Sequence, residues 1–187
     1  MIGDNRLKRF EEIVLPHLDA AYNLARWLTR NDQDAEDIVQ DSCLRAFRFF
    51  DGFQGGDARP WLLAILRNSV FDWRARRRDH APLDPFDGEG GERTGYGHED
   101  GPADPDSPET LLLRRERREI VNRAIAALPP EFREVLVLRE LEELSYKEIA
   151  EIVGTPLGTV MSRLARARKM LARQLQPAAR TEPGHGL

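Results

Sequence analysis

Thr155, Thr159, Ser162, Arg163, Arg166 and Lys169 fall within one short stretch of a 187-residue chain. Their hydroxyl, guanidinium and ammonium groups are suited to base edges and phosphates of nucleic acid. The stretch around them, SYKEIAEIVGTPLGTVMSRLARARKMLAR from Ser145 to Arg173, reads as two helices and a tight turn. Ser145 and Glu148 have the spacing of a capping box at the start of the first helix. Gly154 can take the left-handed backbone that ends it. Thr155 is expected to cap the second helix, with Pro156 at its first position, where a missing N–H costs nothing. Leu157, Val160, Leu164, Ala167, Leu171 and Leu175 are expected to give that helix one buried stripe, and the polar and basic residues fall mostly on its other faces. This is helix–turn–helix punctuation, in which the second helix enters the major groove. The plainer reading, a solvated basic face on a helical hairpin, accounts for the charges but not for the caps.

Two further groups stand out. Between Asp34 and Phe53, the residues Asp34, Asp37, Asp41, Leu44 and Arg48 form one helical stripe with Gln40 beside it. By itself it is a solvated acidic face, but a leucine exposed within a polar stripe also suits docking on another protein. The opposite stripe, Ala35, Ile38, Val39, Ser42, Ala46, Phe49 and Phe50, is expected to supply core. In the second group aromatics and arginines interleave: Trp61, Arg67, Asn68, Phe71, Trp73, Arg74, Arg76, Arg77 and Arg78. Such arginines can track phosphates, and a pocket beside Asn68 could hold a base drawn out of its stack. Trp61 and Phe71 are expected to pack in the core.

Positioning these groups requires an all-α chain of two small helical domains. Residues 1–79 form the first, with helices over Arg6–Thr29 (Pro16 marking a kink or break), from an Asn31 or Asp32 cap to about Phe50, and from an Asp57 cap to Arg78. Residues 108–176 form the second: a helix from Pro108 to Leu128, a break at Pro129-Pro130, a helix over Glu131–Glu140, then the helix–turn–helix. Between them, residues 80–107 are rich in Gly, Pro and Asp and should be disordered when free. Residues 177–187 are expected to be a disordered tail. The net charge of −4 hides an asymmetry, since Ala81–Glu109 carries −8 and the remainder +4. At about 28 residues the linker would relax to an end-to-end distance of about 30 Å.

Taken in order, these segments resemble the extracytoplasmic-function class of bacterial RNA polymerase sigma factors. DAEDIVQDSCLRAFRFFDGF (Asp34–Phe53) is similar to sigma region 2.2. RPWLLAILRNSVFDWRARRR (Arg59–Arg78) is similar to regions 2.3 and 2.4. LPPEFREVLVLRELEELSYKEIAEIVGTPLGTVMSRLARAR (Leu128–Arg168) is similar to region 4. The resemblance implies a subunit that binds core polymerase, recognises promoter −10 and −35 elements and helps melt the DNA. It implies contact with the polymerase clamp helices through Asp37, Gln40, Asp41 and Leu44, and a second contact with the flap. It implies −10 contacts by Asn68, Arg74, Arg76, Arg77 and Arg78, with Asn68 at the flipped base. Its −35 contacts map onto Ser162, Arg163, Arg166 and Lys169, with Thr155 and Thr159 facing phosphates. Met161 stands where many relatives carry a basic or polar residue, so no relative's −35 sequence can be copied. The linker is implied to thread the polymerase cleft, with a plain tether as the alternative. An anti-sigma factor is the implied partner.

A different class of function, a sigma mimic that sequesters an anti-sigma factor without touching promoters, is disfavoured by the intact basic runs at Arg74–Arg78 and Arg163–Lys169. The sequence predicts no enzyme: four scattered histidines pair with no nucleophile, and no glycine-rich stretch has phosphate-binding spacing. No metal, cofactor or small-molecule substrate is expected, and Asp104–Pro108 lacks the ligands of a calcium loop. Cys43, the one cysteine, reads as a small packing residue. Without an apolar run long enough to span a bilayer or an apolar export signal, the expected location is cytoplasmic, with no membrane insertion.

Overall fold

The computed structural model describes residues 2–80 and 108–176. The expectations for the acidic linker and the tail lie outside the described residues. Among those described there are eight α-helices and no strand: α1 (Ile2–Val14), α2 (Leu18–Thr29), α3 (Asp32–Phe49), α4 (Ala58–His80), α5 (Pro108–Ala126), α6 (Pro130–Glu140), α7 (Tyr146–Val153) and α8 (Leu157–Leu175).

Local chemistry accounts for most boundaries. Pro16 falls in a 3-10 turn, Leu15–His17, which splits the first predicted helix into α1 and α2. The Asn31 side chain accepts the Asp34 amide at 3.0 Å and caps α3. Asp57 accepts the Arg59 amide at 2.9 Å at the start of α4. Pro129 and Pro130 separate α5 from α6, and Arg133 donates back to the Ala126 carbonyl at 3.1 Å.

α2, α3 and α4 pack around Leu24, Leu28, Ile38, Leu62, Leu63, Leu66 and Val70, all buried. Phe10 closes that core from α1, with its ring edge-on to Phe47 and Phe50 at 5.1 and 5.2 Å between centroids. α6, α7 and α8 pack around Leu136, Leu138, Ile149, Val160 and Leu164, also buried. The two groups do not stand apart. α2 packs on α6, and α4 packs on α7, so that one apolar core runs through both.

Four residues expected in the core are exposed instead. Phe49 is 66% exposed, so it is not core; as the last residue of α3 it faces outward while Phe50 turns in. Phe71 is 45% exposed, because the neighbouring Val70 and Leu66 already fill the inward face of α4. Leu157, at the start of α8, and Leu175, at its end, are exposed because they lie beyond the buried residues Val160, Leu164 and Ala167 that seat the helix.

Candidate nucleic-acid interface

The helix–turn–helix is built as its punctuation demands. Ser145 Oγ accepts the Glu148 amide at 3.3 Å, and Glu148 Oε2 accepts the Ser145 amide at 2.7 Å. The hydrogen bond with the Ser145 side chain, then that with its backbone, holds the Glu148 carboxyl below its ordinary range. Gly154 ends α7 at φ 65°, a left-handed backbone that a side chain would strain. The expected Thr155 cap is absent. Pro156, extended at ψ 147°, occupies the cap position and its carbonyl accepts the Thr159 amide at 2.9 Å. The Thr155 hydroxyl is enclosed and has no hydrogen-bond partner within the described residues.

On α8, Val160, Leu164 and Ala167 face the core, which turns Ser162, Arg166 and Lys169 to the surface. Arg163 and Thr159 are half-buried beside them, and Ser162 Oγ donates to the Thr159 carbonyl at 3.0 Å. Met161 is 51% exposed within the same surface. Arg168, which sequence reasoning left without a role, holds Glu140 of α6 through Nε at 3.0 Å and a second nitrogen at 2.6 Å. That hydrogen bond, followed by one with Tyr146, raises the Arg168 pKa above its ordinary value. The pair links α8 to α6 at the surface.

On α4, Asn68, Phe71, Asp72, Arg76 and Arg77 are exposed. The Arg67 guanidinium lies over the Phe71 ring, 4.4 Å from its centroid, and that of Arg77 lies over Trp73 at 5.1 Å. Arg77 also pairs with Asp34 at 3.0 Å, and Arg76 Nε donates to the Asp72 carbonyl at 3.3 Å. Arg74 differs from the other basic residues: it is half-buried and donates to the Leu28 carbonyl at 2.7 Å, satisfying the C-terminal end of α2. The Arg78 side chain lies outside the described residues. Trp61 is half-buried against Phe53, with centroids 5.0 Å apart.

On α3, Asp37, Gln40 and Leu44 are exposed together, while Asp41 is half-buried. Arg45 bridges Asp41 at 3.0 Å and Asp72 of α4 at 2.7 Å. The Asp72 hydrogen bond is the first cause of a raised Arg45 pKa. Cys43 is half-buried on α3, and burial pushes its thiol pKa up, as suits a packing residue.

An exposed recognition-type helix on one helical group and an exposed arginine–aromatic surface on the other define an all-α protein of the DNA-reading class. Comparison with known proteins narrows that class. Residues 13–80 match the family "Sigma-70 region 2", and residues 118–171 match "Sigma-70, region 4". The ECF RNA polymerase sigma-E factor of Escherichia coli K12 is 38% identical over 151 residues, covering 79% of this chain and 76% of that protein. The ECF sigma factor SigE of Mycolicibacterium smegmatis is 35% identical, covering 87% of this chain and 60% of that protein. The chain belongs to the ECF sigma factors of the sigma-70 family, transcription regulators that bind RNA polymerase and direct promoter-specific initiation. Among solved structures, the Bartonella quintana sigma factor RpoE in complex with the anti-sigma factor NepR matches at 26% identity. Its TM-score is 0.68, over 92% of this chain and 99% of that one. CnrH in complex with the cytosolic domain of CnrY matches at 25% identity and TM-score 0.61, over 92% of this chain and 91% of that one.

Proposed function

We propose that the two helical groups divide promoter reading between them, with residues 1–79 and 108–176 acting as separate domains. α8 reads the −35 element through Ser162, Arg163, Arg166 and Lys169, with Thr159 close to the phosphates. α4 opens the −10 element, Asn68 holding the flipped base while Arg76, Arg77 and Arg78 follow the strand. Arg74 supports that surface from below by capping α2, and the enclosed Thr155 hydroxyl shapes the turn before α8. Asp37, Gln40, Asp41 and Leu44 meet the polymerase clamp helices. The observation that carries this reading is the exposure of Ser162, Arg166 and Lys169 on a helix whose other side buries Val160, Leu164 and Ala167 in the core.

These surfaces bind and orient nucleic acid, so the chain contributes no catalysis of its own and acts in the cytoplasm beside the polymerase. Among the described residues no helix is long and apolar enough to cross a membrane. The likeness to two sigma factors held by anti-sigma factors supports an anti-sigma partner for this chain as well.

Run-off transcription with purified core polymerase on fragmented source-genome DNA, with transcript 5′ ends sequenced, tests the proposal. Discrete new starts sharing upstream −10 and −35 motifs support it. Polymerase binding without new starts would shift the assignment to a mimic that captures an anti-sigma factor.

A further inference from the structure

One guanidinium joins the face assigned to polymerase with the face assigned to the −10 element. Arg45 of α3 pairs through Nε with Asp41 at 3.0 Å and through a second nitrogen with Asp72 of α4 at 2.7 Å. Asp41 lies one turn earlier on the same helix, in the stripe that exposes Asp37, Gln40 and Leu44. A further pair, Asp34 with Arg77 at 3.0 Å, shows how the two helices are matched. Early α3 meets late α4, so the helices run antiparallel and Arg45 crosses between them partway along.

Asp72 carries the odd charge on its face. Asn68, Asp72 and Arg76 are spaced four apart on α4 and are all exposed, so they line one stripe. Arg76 Nε donates to the Asp72 backbone carbonyl at 3.3 Å, whereas the Asp72 carboxylate is met by Arg45. A strand that follows Asn68 and Arg76 must pass this carboxylate, whose charge opposes the phosphates. Arg45 supplies the compensating charge from the neighbouring helix.

Magnitude decides what the bridge is for. The side chains of Arg45, Asp41 and Asp72 are 32%, 46% and 54% exposed, and ion pairs this wet contribute little to folding. The effect of the bridge falls instead on the orientation and the charge of its two carboxylates.

We propose that Arg45 is a positioning residue shared by both surfaces: it holds Asp41 for polymerase and cancels the Asp72 charge along the path of the melted strand. The inference rests on the assignment of α3 to polymerase and of α4 to the −10 element. It adds to that reading a residue that acts on both partners through other side chains.

Two assays on the full chain separate the two effects. Arg45→Gln keeps the side-chain stem and removes the charge. It should weaken core-polymerase binding about 3- to 10-fold in a fluorescence titration, because Asp41 must then be ordered on docking. In an Asp41→Asn background, where no carboxylate remains to be held, Arg45→Gln should cause no further loss. At saturating polymerase Arg45→Gln should also lower permanganate reactivity of melted DNA about 3- to 10-fold, on a promoter found by run-off transcription. That deficit should shrink as KCl is raised, since salt screens the carboxylate from the strand. Adding Asp72→Asn should restore melting at low salt without restoring polymerase affinity. Thermal unfolding of the Arg45→Gln chains should stay within about 4 °C of the parent.

Unchanged polymerase affinity, or a full loss in the Asp41→Asn background, would overturn the hold on Asp41. DNA melting that Asp72→Asn fails to restore would overturn the cancellation of charge. A larger thermal loss would make Arg45 a structural residue and overturn both. If run-off transcription yields no promoter, the promoter reading fails and the strand role of Arg45 with it, while the titration still decides its hold on Asp41.

Discussion

A substitution at Arg166 should separate the proposed recognition of DNA from assembly with polymerase. The side chain is exposed on α8, far in sequence from the α3 face assigned to polymerase. A bidentate arginine–guanine contact contributes about 1–3 kcal/mol of discrimination. Arg166→Ala should therefore lower −35-dependent transcription about 10-fold while leaving core-polymerase affinity unchanged in a fluorescence binding assay; equal loss of both would remove the assignment. Arg74 makes the opposite case. Its guanidinium satisfies the Leu28 carbonyl, so Arg74→Ala should lower the melting temperature, whereas Arg76→Ala on the exposed side should not. A thermal melt of the two variants compares them directly. In the sequence both belong to one basic run, and only the position of the α2 terminus distinguishes them. Phe71 escaped in the same way: an aromatic at helical spacing reads as core, and its exposure becomes visible only with Arg67 laid over it.

The helix–turn–helix was the most legible element because its signals are local. Ser145, Glu148 and Gly154 act within a few residues of one another, and each does what its type predicts. Thr155 did not, because the following proline is itself extended and moves the cap one residue on. The capping box also carries a pH dependence. Hydrogen bonds to Ser145 stabilise ionised Glu148, so its carboxyl titrates lower in the folded chain than in the unfolded one, where about 4.3 is usual. This stabilisation is complete above the unfolded value and disappears as pH falls through the folded value. Urea melts should show Glu148→Gln losing stability near pH 6 and converging on the parent chain as both are acidified below about pH 4. Ser145→Ala should cost about 1 kcal/mol at neutral pH. A Glu148→Gln deficit that grew with acidification would contradict the sign.

What no local pattern could reveal is how the two helical groups meet. Arg67 and Glu134 are 67 residues apart in sequence, and Arg59 and Glu142 are 83 apart, with the acidic linker between the partners. Each of the four reads as an ordinary surface charge until the fold encloses it. Enclosure makes the Arg67–Glu134 pairing matter to stability, because removing one partner leaves the other charge dehydrated and unpaired. Glu134→Gln should therefore lower the melting temperature, and adding Arg67→Met should recover part of the loss. Thermal melts of the parent, the single and the double variant measure both effects; a single variant as stable as the parent would mean that the pair contributes nothing to the contact between α4 and α6.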